Sequence, residues 1–149
     1  MNLRVLVTLW LVMAALGLKA QSVADLDAKN GFGNDVFGTD LSALPGMVCT
    51  SKQKSEYQLY ARPADELAWG GGKLQSIKYG FYNNKLREVI LTIDGASNAA
   101  LVLQALTALY GPGTPGHKPN STVWQGQKVK MECVTDSPFG SFVFIGQTK

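Results

Sequence analysis

The sequence predicts an α+β domain, an antiparallel sheet carrying a short N-terminal helix and one longer helix, on three observations. Leu74 to Ile93 alternates apolar and polar side chains about Asn83-Asn84, and asparagine tolerates the positive φ that a tight hairpin turn requires. One helical stripe follows, over Ala99, Val102, Leu103, Leu106 and Leu109. Strand signals then recur at Thr122 to Trp124, Val129 to Val134 and Ser141 to Ile145 with no helix between them. So few helices cannot supply parallel crossovers, so the strands join as antiparallel hairpins and the helices gather on one face. The order of helix, strands, helix and strands also admits a degenerate tandem repeat.

Residues 1–20 have the form of a cleavable secretory signal. Arg4 supplies the charge, Val5 to Leu16 is apolar except for Thr8, and Ala20 offers a small residue for cleavage. That apolar run is about a dozen residues, against roughly 20 for a bilayer span. Cleavage after Ala20 leaves Gln21 as the new N-terminus, with Ala24 of Ser22-Val23-Ala24 as the alternative, and neither site offers a cysteine for lipidation. The expected location is secreted or periplasmic, with no membrane span after cleavage.

Residues 21–36 are polar and glycine-rich and read as a flexible N-terminal segment, leaving 37–149 as a single domain. Thr39 or Asp40 can cap a short helix through Leu44, which Pro45-Gly46 stops. Met47 to Cys49 and Tyr57 to Tyr60 are candidate strands. In the hairpin, a two-residue turn pairs Phe81 with Leu86 and sets Leu86 on the opposite face from Val89, so a bulge near Arg87 or Glu88 is expected. Ser97 can cap the long helix from Asn98 to about Tyr110, and Gly111-Pro112 ends it. Leu101, Ala105 and Ala108 make its other side apolar too, which predicts cover on two sides or a partner.

Charge excludes two classes of partner. Without Arg4 and Lys19 the 14 basic residues fall to 12 against 11 acidic ones, which leaves no basic field for nucleic acid or an anionic membrane. Cys49 and Cys133 admit either a disulfide, in an oxidising compartment, or two buried thiols. With His117 as the single histidine, these residues fall short of a four-ligand zinc site, and no metal or cofactor is expected.

Catalytic motifs fare poorly. Gly111 to Gly116 spells GxGxxG but follows a helix and contains two prolines, whereas a dinucleotide site needs a strand before it and a helix after it. Gly70-Gly71-Gly72-Lys73 lacks the first glycine and the hydroxyl of a phosphate loop and reads as a turn. His117 lies on a Pro and Gly loop, a poor mount for a general base. Asp25 with Asp27, and Asp65 with Glu66, read as solvated surface. Asn120-Ser121-Thr122 is a formal glycosylation acceptor in a eukaryotic secretory pathway. Tyr57, Tyr60, Trp69, Tyr82 and Trp124 lie in or beside strands and turns, where exposed rings can stack a saccharide or anchor a protein.

Phe37-Gly38-Thr39-Asp40-Leu41 through Pro45-Gly46-Met47, the Tyr79 to Ile93 hairpin, and Leu109-Tyr110-Gly111 with Trp124 resemble small exported bacterial proteins. The implied helix-then-sheet units are similar to those of the outer-membrane assembly lipoprotein BamE and of β-lactamase inhibitor protein, and no functional residue transfers from either. The resulting expectation is a non-catalytic binding or interaction module of the periplasm or extracellular space. The alternatives are a small secreted hydrolase using His117 and a structural envelope component.

Overall fold

The computed structural model describes residues 22–148. The expected leader and the new N-terminus at Gln21 lie outside the described residues. The first element is a helix, α1 (Val23–Lys29), closed by a capping box in which the Ser22 hydroxyl accepts from the Ala24 N–H and the Asp25 carboxylate accepts from the Ser22 N–H at 2.6 Å. Leu26 is buried in the core, and Asn30 ends the helix at φ 43°. Two short antiparallel strands follow, β1 (Gly31–Phe32) and β2 (Asp35–Val36). Expected to be flexible, this segment instead carries regular structure. Its order comes from tertiary contacts that hydrophobic periodicity does not register.

The chief of these contacts is Asp27. Its carboxylate accepts backbone N–H groups from Gln127, Lys128 and Val129 at 2.6, 2.9 and 2.9 Å, tying α1 to a turn a hundred residues away. A Cβ at Gly126 would collide with that carboxylate, so a larger residue there would displace it from its three donors.

The capped helix expected from Asp40 is a single 3-10 turn, Leu41–Ala43. Asp40 makes no side-chain cap; its carboxylate pairs with Lys85 at 3.0 Å instead. The chain continues through β3 (Val48–Cys49), β4 (Tyr57–Ala61), β5 (Ala68–Trp69), β6 (Gly72–Tyr82) and β7 (Lys85–Ile93). Then come the second helix, α2 (Gly95–Tyr110), β8 (Thr114–Pro115), β9 (Ser121–Gln125), β10 (Val129–Ser137) and β11 (Gly140–Gln147). The main sheet is nine-stranded and antiparallel in the order β3-β4-β6-β7-β11-β10-β9-β8, with β5 paired to β6. With two α-helices beside this sheet among the described residues, the protein is α+β as the sequence predicts.

The β6–β7 hairpin turns at Asn83 and Asn84, both left-handed at φ 48° and 62°, the geometry that matches strand twist. Tyr82 pairs with Lys85 and Phe81 with Leu86, but Gly80 pairs with Glu88, so Arg87 is an extra residue. This is the expected bulge, and it returns Leu86 to the face of Val89, Leu91 and Ile93. A second shift, not foreseen, makes Gln75 the extra residue on β6 and keeps Leu74 on that face.

α2 begins at Gly95, ahead of the expected Asn98. Asn98, rather than Ser97, secures this first turn: its amide donates to the Asp94 carbonyl at 2.6 Å and its side-chain oxygen accepts from the Lys73 N–H at 3.0 Å. Ala99, Val102 and Leu106 face the core. The glycine turn covers a second side of the helix, since a Cβ at Gly70 would lie 2.9 Å from the Ala105 methyl and one at Gly72 would lie 2.7 Å from the Asn98 carbonyl. Leu101 stays exposed at 44%.

Burial opposes ionisation of Asp27, but the three backbone donors and the nearby Lys128 outweigh it and hold the carboxyl below its ordinary range. Asp27→Ala is expected to lower stability by roughly 1–3 kcal/mol, measured by urea unfolding near neutral pH. Because the folded-state pKa is depressed, that contribution is full above the unfolded value of about 3.9 and is lost as pH falls through the folded value. The gap between wild type and variant should therefore close in acid.

Candidate functional site: the open face of the sheet

Strand alternation sorts the sheet into two faces. Leu74, Ile77, Tyr79, Phe81, Val89, Leu91, Val143, Ile145, Met131 and Trp124 point into the core beneath the helices. The other face carries Lys78, Ile90, Phe144, Glu132 and Val123 in one row of directly paired residues, with no described helix over them. These side chains are half-buried by one another.

Toward one end of this face lies a groove of about 520 Å³, lined by Tyr57, Tyr82, Arg87, Glu88, Phe144, Gly146, Gln147 and Thr148. Two glycines shape it. Gly80, Glu88 and Gly146 form one cross-strand row, so Glu88 stands between two positions without side chains. A Cβ at Gly80 would lie 2.5 Å from Glu88 Cγ and 2.9 Å from the Tyr57 hydroxyl, while one at Gly146 would lie 2.9 Å from the Phe144 ring. The bare backbone thus lets both aromatic side chains lie down across the sheet.

The rings are also anchored. The Tyr57 hydroxyl donates to Glu88 Oε1, and the Tyr82 hydroxyl donates to Glu56 Oε2 at 2.7 Å. Burial and then the Glu88 bond push the Tyr57 phenol above its usual value, whereas for Tyr82 the bond to Glu56 dominates. Both remain phenols at neutral pH. Arg87 Nη1 donates to Gln147 Oε1 at 2.6 Å.

The five aromatic candidates therefore divide. Tyr57 and Tyr82, directly opposed across β4 and β6, stay 39% and 46% exposed and share the groove. Tyr60 faces the core side, edge-on to Phe81 at 5.1 Å, and Trp69 packs against Phe32 at 6.1 Å. Trp124 is a core residue, 1% exposed, whose indole N–H donates to the Gly111 carbonyl at 2.8 Å and closes the end of α2. Arg87, Glu88 and Phe144 were missed. Phe142 and Phe144 alternate with Val143 and Ile145, and such a strand is apolar on both faces, so its pattern does not say which side is open.

The carboxylates read as solvated surface are partly engaged. Besides Asp27, Asp65 accepts from the Tyr79 hydroxyl at 2.6 Å and lies 3.5 Å from Arg62, which is held bidentately by Asp35 at 2.9 and 3.1 Å. The Asp35 hydrogen bond raises the Arg62 pKa despite burial, so the clasp between β2 and the end of β4 stays charged.

His117 is exposed on the loop between β8 and β9 and has no hydrogen-bond partner among the described side chains. Cys49 lies on β3 at the opposite end of the sheet and Cys133 points into the core, so neither forms a nucleophile–base pair with it. Among the described residues no group of three His, Cys, Asp or Glu side chains could hold a metal.

Neither alternative for the cysteines holds in full: the disulfide is absent, and of the two thiols only Cys133 is buried. Cys49 is exposed on β3 and Cys133 is buried on β10, with β4, β6, β7 and β11 between them in the sheet. At about 4.8 Å per strand spacing they are far beyond bridging distance. Compared with protein-family models, curated proteins and solved structures, the chain shows no match.

Burial raises the Cys133 thiol to about 11. Alkylation of the unreduced native protein should label Cys49 alone, and the same reaction in denaturant should label both cysteines; one label or none in denaturant would contradict two free thiols.

Proposed function

We propose that this protein is an exported, non-catalytic binding module whose contact surface is the sheet face opposite the helices. The observation that carries the reading is the set of aromatic and apolar side chains on that face, Tyr57, Tyr82, Ile90 and Phe144, drawn from four strands with no described helix over them, beside Phe142, whose ring lies under the Lys118 ammonium at 5.1 Å. Aromatic rings at a surface supply large contact area at small conformational cost, which suits recognition. The leader over residues 1–20 supports export. No helix among the described residues is long and apolar enough to cross a membrane.

Purified protein incubated with a cell-envelope extract tests this reading. Capture of protein or polysaccharide by wild type should be lost in Phe142→Asp/Ile90→Asp and retained in Leu101→Asp, a helix-side control, with both variants checked for folding by circular dichroism. Retention in the first and loss in the second would move the contact surface to the helices and reject the proposal.

A further inference from the structure

We infer that the groove between Tyr57, Tyr82 and Phe144 takes a neutral saccharide, an inference that rests on the binding-module reading and names its ligand class. The argument comes from what the floor of the groove still offers. Glu88 uses Oε1 for Tyr57 and has Oε2 free, and Arg87 uses Nη1 for Gln147 and has its remaining N–H groups free, among the described residues. Neither residue makes an ion pair among the described residues.

A neighbouring guanidinium and carboxylate, both short of partners, discriminate among ligands. A charged ligand of either sign would be drawn to one of these groups and repelled by the other, so neither sign is favoured, and an apolar segment would strip water from both charges without replacing its hydrogen bonds. A hydroxyl both donates and accepts, so neighbouring hydroxyls on one ring can satisfy Arg87 and Glu88 together. Gln147 and Thr148 extend the same donor and acceptor character along the wall. The C–H face of such a ring carries slight positive charge and matches the negative face of a tyrosine. Tyr57 and Tyr82 supply two such rings, each held by its hydroxyl. The volume, about 520 Å³, suits one or two sugar rings.

Titration of wild-type protein with maltohexaose, cellohexaose and chitohexaose, followed by tyrosine fluorescence and calorimetry, tests the inference. At least one should bind with Kd at or below about 1 mM, and Tyr82→Ala should weaken it by about tenfold or more. Tyr82 covers neither groove glycine, so that variant spares the packing of Tyr57 on Gly80 and of Phe144 on Gly146. Arg87→Met is the second variant and should weaken the same ligand. Hexagalacturonate and an acidic and a basic hexapeptide should bind at least tenfold more weakly than the best neutral sugar. No binding of any neutral hexasaccharide, equal binding by Tyr82→Ala, or preference for a charged probe would each overturn the inference. If none binds while capture from the envelope extract still depends on Phe142 and Ile90, the saccharide falls and the binding module stands.

Discussion

Arg87 marks the point at which the central strand changes partner. Before it, Leu86 exchanges backbone hydrogen bonds with Gly38 and Thr39, and Asp40 bridges to Lys85. After it, Glu88 to Ile93 pair with β11. One extra residue lets the same strand serve two neighbours while Leu86, Val89, Leu91 and Ile93 all stay on the helix side. Without it, period-two alternation would turn either Leu86 or the whole run Val89, Leu91 and Ile93 toward the open face. The bulge also sets Arg87 and Glu88 together at the groove, so fold and candidate site share one local constraint.

Much of this was legible in the sequence. The Asn83-Asn84 turn, the three late strands and the α2 stripe each carry a strong local signal, and the mismatch between Leu86 and Val89 revealed the bulge before any pairing was known. The start of α2 was misplaced because its first turn is secured by Asn98 reaching the β6 backbone, a tertiary contact. Order in residues 22–36 was invisible for the same reason: Asp27 and Asp35 find their partners at residues 127–129 and at Arg62, and nothing local announces either.

The site was half legible. Tyr57 and Tyr82 stood among the candidates, but exposure cannot be assigned to an aromatic from its own strand. Trp124 became core because β9 alternates against Met131, whereas Tyr82 stayed outside because it is one residue beyond the buried Phe81. Arg87 and Glu88 looked like ordinary surface charges. Their importance comes from Gly80 and Gly146, whose missing side chains let neighbouring aromatics settle beside them. The cysteines show the converse limit, since a plausible pair in sequence lies across the sheet in space.

The central claim is that the inserted residue, and not its side chain, fixes which face is buried. Urea unfolding of Arg87→Ala beside a variant with residue 87 deleted tests it most directly. The account predicts that the substitution unfolds close to the wild-type midpoint, while the deletion forces Leu86 or Val89 out of the core and is unfolded or severely destabilised. Equal midpoints for the deletion and the wild type would contradict it.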